Sequence, residues 1–298
     1  MRVRPSAVAL MPTEPGVYRF RDDQGRPLYI GRAGDLRRRV SSYWGDLRDR
    51  PRLRRMVPQI VRIEALVCAS DHEAAWVERM LMEHSKPRWN RIAGGLENPV
   101  YVRVDTVAPA IGVTHEVVDT AGVRWYGPYL GGTATRLAVG ALERAYPLTY
   151  ARSRLTGTER DLARLHGVGE ADVATLVGEV DRVLRGDPAA VSSARVLLVA
   201  RRDEAARREL YELASRIHDE LDGLAWVASR VRFVGTADLD LVACVGGQRV
   251  SLTFRSGRLR TWDQTTATED ALVGPPDWHD FLSRNATLAA ELALNPVG

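Results

Sequence analysis

Residues 16–31 read GVYRFRDDQGRPLYIG. Two runs rich in aromatic and β-branched residues, GVYRF and RPLYIGR, flank the turn-forming cluster Asp22, Asp23, Gln24 and Gly25. That pattern predicts a β-hairpin, with Gly25 supplying the positive φ that a tight loop usually needs. Beyond the second run, Gly34 and Asp35 open a helix over LRRRVSSYW, in which Leu36, Arg39, Val40 and Tyr43 fall at i, i+3, i+4 and i+7 and share one face. An arginine on a face that otherwise carries Leu, Val and Tyr requires a partner, because a guanidinium left unpaired in apolar surroundings is costly.

At 298 residues the chain has room for two or three domains. Its 45% hydrophobic and 27% charged content is that of a soluble globular protein. Positions 1 to 100 hold 19 basic and 12 acidic residues, a balance of +7, and the remainder holds 23 against 26, or −3. The positive charge therefore sits where the hairpin is. A localised basic face suits a polyphosphate ligand, whose condensed counterions are released on binding. A compositional preference explains the choice of Arg over Lys, but not this asymmetry.

Cys68 and Cys244 stand far apart with no CxxC spacing, and the six histidines form no ligand-like pair. These features predict a reduced, cytoplasmic protein without disulfides or structural zinc. The opening MRVRPSAVALMPTE has too short an apolar run for a signal peptide, and no stretch approaches the ~20 apolar residues of a membrane span.

Residues 1–15 read as a short lead-in, with Pro12 and Pro15 setting up the first strand. DLRDRPRLRRMVPQI is basic and helix-compatible from Pro51 to Met56, and VRIEALVCAS reads as a third strand. Ser70 and Glu73 form a capping box that opens DHEAAWVERMLMEH, where Ala74, Val77, Met80, Leu81 and His84 make the core stripe. Glu78 adjoins that stripe, and the helix alone would make it a solvated flank residue. From Tyr101 to about Val118 the chain alternates like a strand pair. Tyr211 to Leu224 is amphipathic, with Leu210, Leu213, Ile217, Leu221 and Leu224 as its core stripe and Glu212, Arg216, Asp219 and Glu220 off it. DLDLVACVGGQRVSLTFRSGRLRTWDQ reads as three short strands joined by GG and SG turns, followed by a helix over WHDFLSRNATLAAELAL.

The succession GVY, about ten residues, YIG, then Arg32, Arg39 and Tyr43 resembles the GIY-YIG endonuclease family in its UvrC/Cho variant. Glu78 stands where that family carries its metal-binding glutamate, a few turns before the matching Pro87-Arg88-Trp89-Asn90. The resemblance implies an α+β fold: a small nuclease domain with an antiparallel sheet flanked by helices, a helical middle region and a small β-rich C-terminal segment. The implied divisions are 1–95 for the nuclease domain, closing near Gly94-Gly95, then 96–160 as a connecting region, 161–230 as a helical region and 231–298 as a β meander with a final helix. RWYGPYLGGTATRLAVGALERAYPL resembles the family's segment after the nuclease domain, a GP-aromatic turn leading into a helix that ends at Tyr146-Pro147.

Four cysteines for an iron-sulfur cluster usually follow in the family, whereas this chain runs TYARSRLTGTERDLARL, so no such cluster is expected. LHGVGEADVATLVGEVDRVLRGDPAAV resembles either half of a helix-hairpin-helix module, whose turn offers N–H groups to phosphate, or the family's next helix with its Leu184, Gly186, Asp187 ending. Residues 211–224 resemble the UVR motif, which implies docking to a UvrB-like helicase. The rest of the length is too short for the family's RNase H-like nuclease and tandem helix-hairpin-helix domains, so one active site is expected.

Phosphodiester hydrolysis needs an activated water, charge neutralisation and help for the leaving oxygen. By resemblance Glu78 holds one Mg2+ or Mn2+ ion, largely through waters, Tyr29 takes the proton from the attacking water and Arg39 holds the phosphate. Tyr18 and Tyr43 would orient water and phosphate through their hydroxyls, and Asn90 completes the catalytic group. A phenol ionises near pH 10, so it needs cationic help, for which Arg32, Arg39 and the metal are placed. Arg32 departs from the family's usual Lys, and a guanidinium cannot itself act as a base. Arg37, Arg38, Arg52, Arg54, Arg55 and Arg88 are the expected DNA contacts, although the Pro51–Met56 run reads equally as a solvated helix face. The implied function is a metal-dependent DNA endonuclease making one incision in an excision-repair pathway. Alternatives are a stand-alone nuclease for branched DNA, independent of UvrB, and an inactive paralogue that binds DNA or recruits partners.

Overall fold

The chain enters its first sheet through α1 (Ser6–Leu10), whose Ala7 and Val8 are buried together with Met11, so the expected lead-in is itself part of a core. β1 (Gly16–Arg21) and β2 (Pro27–Ala33) form the hairpin, with Tyr18 opposite Gly31 and Phe20 opposite Tyr29, and Gly25 turns the chain at φ +73°. α2 (Leu36–Ser41) starts at Asp35, whose carboxylate accepts from the Arg38 N–H at 2.8 Å. α3 (Pro51–Met56) follows where Pro51 can occupy the first turn without losing a hydrogen bond. β3 (Arg62–Val67) pairs with the free edge of β1, giving the antiparallel order β2-β1-β3 with the Tyr18 strand in the centre. Tyr18, Phe20, Leu36, Val40, Tyr43 and Met56 share one core on a face of this sheet.

This computed structural model describes residues 6–90, 97–229, 231–232 and 237–297, so Gly94 and Gly95 lie outside the described residues. Contacts divide the chain into two compact units, residues 1–96 with 230–298 and residues 97–229.

α4 (Asp71–His84) opens on Ser70, which accepts from the Glu73 N–H at 3.0 Å. The return half of the box is diverted: the fully buried Glu73 carboxylate accepts from the Ala69 N–H at 2.6 Å and pairs with Arg232 at 3.2 Å. His84, expected in the core stripe, is exposed and meets Arg260 of the C-terminal segment, whereas Ala75 and Trp76 are buried.

In the second unit, β4 (Val100–Asp105), β5 (Ala110–Thr114) and β6 (Val123–Tyr129) make an antiparallel sheet in the order β5-β4-β6. The GP-aromatic segment, expected as a turn, lies inside β6 with a cis Gly127–Pro128 bond, and the turn into α5 (Gly132–Ala145) falls at Gly131 instead. α6 (Gly157–His166) ends at Gly167, and the Asp172 carboxylate accepts the Gly169 N–H, a donor that a phosphate at the HGVG turn would otherwise use. α7 (Val173–Leu184), α8 (Pro188–Arg207) and α9 (Tyr211–Ala228) follow, α8 and α9 forming a helical hairpin. α5 packs so closely on α9 that a Cβ at Gly223 would stand 2.6 Å from the Ala138 nitrogen.

The α9 stripe differs from expectation at two places. Ile217 and Leu224 are buried, but Leu210 and Leu213 are exposed along with Tyr211. Glu220, expected on the outer face, is 1% exposed, because Arg144 of α5 reaches it with two hydrogen bonds of 2.6 and 2.9 Å.

The C-terminal segment is a four-stranded meander rather than three strands: β7 (Leu239–Val245), β8 (Gln248–Arg255), β9 (Arg258–Thr266) and β10 (Ala271–Val273), in the order β10-β7-β8-β9. With α10 (His279–Ala293) it shares a unit with the hairpin sheet, although its sequence reads as a separate segment. Asn285 of α10 accepts from the Val67 N–H at 2.7 Å. The fully buried Glu64 receives Arg19 at 2.6 Å, Arg62 at 2.5 Å and Arg21 at 2.9 Å, while Arg19 also donates to the Trp262 carbonyl at 2.8 Å. Among the described residues no helix is long and apolar enough to cross a membrane.

Candidate active site

Tyr18 and Tyr43 come from β1 and from the turn after α2, and neither reaches solvent. Their hydroxyls are hydrogen-bonded at 2.6 Å, and the Arg39 Nε donates to the Tyr18 oxygen at 3.2 Å. The Arg39 guanidinium also lies 5.4 Å from the centre of the Tyr43 ring. Arg39 itself is exposed, so it does not share the apolar setting of Leu36, Val40 and Tyr43 that its helical spacing suggested; the phenol pair anchors its Nε end. Burial pushes the Tyr18 and Tyr43 phenols well above their ordinary range, so both stay neutral at physiological pH. Their hydroxyls are engaged with each other, and that of Tyr18 also with Arg39.

Tyr29 is placed differently. Its ring lies 6.1 Å from that of Tyr18 and 6.0 Å from that of Tyr43, yet it is half-buried, the one member of this tyrosine group at the surface. The Arg32 Nε of β2 donates to Glu78 Oε2 of α4 at 3.0 Å, with both side chains partly exposed. Burial raises the Glu78 carboxyl above its ordinary value, and the Arg32 charge pulls against it. Glu78 is thus a partly desolvated carboxylate that gains from a neighbouring cation, not the freely solvated flank residue that its helix position suggests.

Asn90 touches none of these groups through the hydrogen bonds observed. Its side-chain oxygen accepts from the Ile30 N–H at 3.0 Å and its amide donates to the Ile30 carbonyl at 2.7 Å. With the Trp89 N–H donating to the Leu28 carbonyl at 3.0 Å, residues 89 and 90 clamp β2 on both sides of Tyr29. Asn90, which the resemblance puts in the catalytic group, thus meets the backbone beside Tyr29.

Two glycines of the motif owe their place to space alone. A Cβ on Gly31 would stand 2.6 Å from the Tyr18 hydroxyl and 2.7 Å from Cε1 of Tyr29, and one on Gly16 would stand 2.3 Å from the Leu66 carbonyl oxygen. The sequence reading did not assign Gly31 a role. The available signal was the pair of tyrosines at 18 and 29, which can converge only over a residue without a side chain.

The expected DNA contacts surround this centre unevenly. Arg38, Arg54, Arg55 and Arg88 are exposed and Arg52 is half-buried, while Arg37 is exposed but spends its Nε on the Met11 carbonyl at 2.6 Å. A cleft of about 490 Å³ lined by Tyr43, Trp44, Leu47, Arg48 and Arg54 opens beside the tyrosines. Among the described residues no group of three or more His, Cys, Asp or Glu side chains could enclose a metal ion, so any ion here would rely on Glu78 and water. That donor set fits a hard, mostly hydrated ion such as Mg2+ or Mn2+.

Residues 14–91 match the family described as the UvrC-like GIY-YIG domain. Relatives called UvrABC system protein C align over most of the chain. That of Corynebacterium aurimucosum is 30% identical over 282 residues, covering 84% of this chain and 39% of the relative. That of Thermobifida fusca is 30% identical over 288 residues, covering 87% and 42%, and that of Mycobacterium tuberculosis is 31% identical over 279 residues, covering 84% and 42%. The chain thus spans about two fifths of the length of these relatives. Among solved structures, the magnesium-bound N-terminal GIY-YIG endonuclease domain of UvrC from Thermotoga maritima is 32% identical, with a TM-score of 0.26 over 28% of this chain and 91% of that one.

Proposed function

We propose that this chain, whose residues 14–91 are a UvrC-like GIY-YIG domain, is a divalent-cation-dependent DNA endonuclease that hydrolyses one phosphodiester bond in excision repair. The observation that carries the reading is the division among the three tyrosines: Tyr18 and Tyr43 are sealed and neutral, Tyr29 is half-buried, and the Arg39 charge acts on both this tyrosine group and Glu78.

In this reading Tyr29 accepts the proton of the attacking water, and Arg39, held by the two buried phenols, presents its guanidinium to the scissile phosphate. Arg32 stabilises negative charge at the site but is no base, so the proton goes to the phenol of Tyr29 and from there to solvent. Glu78 would hold the Mg2+ or Mn2+ ion, which when bound neutralises phosphate charge and assists the leaving oxygen. Because Glu78 already pairs with Arg32, the guanidinium must yield part of that contact, and it is then free to turn toward the phosphate. Arg37, Arg38, Arg52, Arg54, Arg55 and Arg88 form the proposed track for the DNA backbone, adding affinity that falls with salt.

The partner we propose is a UvrB-like helicase, docking through residues 211–224. The neighbouring exposure of Leu210, Tyr211 and Leu213 at the start of α9 supports this, since it offers a small apolar patch for a partner.

The reading is tested by incubating the chain with nicked, branched and lesion-bearing duplexes plus Mg2+ or Mn2+, with and without a UvrB-like helicase. Incision that requires the ion and is stimulated by the helicase is expected. Incision independent of the helicase would favour a stand-alone nuclease, and binding without incision an inactive paralogue.

A further inference from the structure

The unit of residues 97–229 contains a cleft of about 420 Å³ that the nuclease reading does not use. Arg144, Arg201 and Arg216 line it, together with the carboxyls of Glu143 and Glu220. The buried Glu220 is shared: Arg144 donates to it at 2.6 and 2.9 Å and Arg216 at 3.3 Å, so one carboxylate answers two guanidiniums. The third, Arg201 of α8, is half-buried, and its hydrogen bond goes to the Arg144 carbonyl. Among the described residues no carboxylate pairs with Arg201.

Glu143 does little to restore the balance. It accepts from the Thr149 hydroxyl at 2.7 Å, and burial favours its neutral form. Close to it, Arg152 keeps a buried Nε with no hydrogen-bond partner, although its other end pairs with Glu159. Tyr150 and His166 stack at the cleft with rings 5.4 Å apart and 9° from parallel. Three guanidiniums around one buried carboxylate, with the Tyr150 and His166 rings beside them, leave charged donors suited to a tetrahedral oxyanion.

We propose that this cleft binds a phosphate group, with Arg201 as its principal contact and Arg216 and Arg144 beside it. The inference rests on the second unit alone and stands whether or not residues 14–91 cut DNA. The phosphate belongs either to a free nucleotide or to a nucleic-acid strand, and the chemistry of recognition is the same for both.

Calorimetric titration of the full chain with inorganic phosphate, at ionic strength matched with chloride, should show saturable binding. Arg201→Gln should weaken it about tenfold or more, the loss expected for charged hydrogen bonds, whereas Arg202→Gln, at a neighbouring residue paired with Asp203, should leave it unchanged. A deoxymononucleotide that displaces phosphate better than a short oligonucleotide assigns the site to free nucleotides, and the reverse order assigns it to a strand. Should Arg201→Gln fail to fold, arginine modification by phenylglyoxal in the unmutated chain replaces it, and phosphate should protect Arg201 selectively. Absence of saturable phosphate binding, binding untouched by Arg201→Gln in a folded protein, or an Arg201 modified at the same rate with and without phosphate would each overturn the proposal.

Discussion

Gly31→Ala tests the packing logic of the site with one methyl group. The added Cβ would lie 2.6 Å from the Tyr18 hydroxyl and 2.7 Å from Tyr29 Cε1, about 0.8 Å inside the 3.4 Å at which ordinary contact begins. Tyr18 cannot retreat easily, since it is fully buried and its hydroxyl is tied to Tyr43 at 2.6 Å. Tyr29, at the surface, is the ring that yields. Overpacking of this size costs roughly 1–3 kcal/mol of stability, and displacing a reacting group by about 1 Å costs about 100-fold in rate. Gly25→Ala supplies the control: at φ +73° it is strained by roughly 1–2 kcal/mol, but nothing lies within 4 Å of the added atom. Single-turnover incision of a nicked duplex, read beside thermal denaturation, should find both variants destabilised and only Gly31→Ala slow. Equal incision rates would refute the claim that Gly31 is required because the two tyrosines occupy the space of its side chain.

Three further outcomes follow from other parts of the molecule. Glu64→Gln leaves Arg19, Arg21 and Arg62 without their buried carboxylate and should cost about 3–5 kcal/mol in denaturant unfolding; a loss under 1 kcal/mol would contradict the assignment. Burial and the 2.5 Å hydrogen bond to Asp181 push the Tyr126 phenol up to about 12. The fold therefore favours the neutral phenol, and this contribution to stability, complete below about pH 10, is lost as pH rises toward 12; titration of tyrosinate absorbance should show one of the late-ionising phenols moving earlier in Asp181→Asn. Tyr211→Ala with Leu213→Ala should abolish association with a UvrB-like helicase without lowering the melting temperature, because both side chains are exposed; unchanged association would leave this part of α9 a structural element only.

Much of the hairpin half was legible because its signals are local. Alternation, the Asp22–Gly25 turn and the helical spacing of Leu36 and Val40 are set by neighbours in the chain, whereas Arg39 is exposed and Tyr43 lies in the tighter turn that follows the helix. What escaped depends on segments distant in sequence. Glu220 sits on the polar side of α9 by its own periodicity and is buried only because Arg144, 76 residues away, meets it. His84 falls outside the core, and its partner Arg260 lies 176 residues further along the chain, beyond the reach of helical periodicity. The GP segment of β6 reads as a turn because glycine and proline usually break strands; here Gly127 and Pro128 fall at the irregularity where the ladder with β4 steps from Tyr126 to Tyr129, a place that tolerates them. Within the site, the residue types were legible from the motif, but the separation of Tyr18 and Tyr43 from Tyr29 was not. That separation depends on burial, which the three-residue motifs do not encode.

The central claim is that Tyr29 reacts while Tyr18 and Tyr43 hold Arg39 in place. Its most direct test is the single-turnover incision rate of Tyr29→Phe, measured with Mg2+ or Mn2+ beside its affinity for the same DNA. The phenol oxygen is removed with no change in ring volume, so fold and affinity should be kept while incision falls by at least about 100-fold, the lower range expected for loss of a general base. Incision by Tyr29→Phe at the unmutated rate would contradict the account.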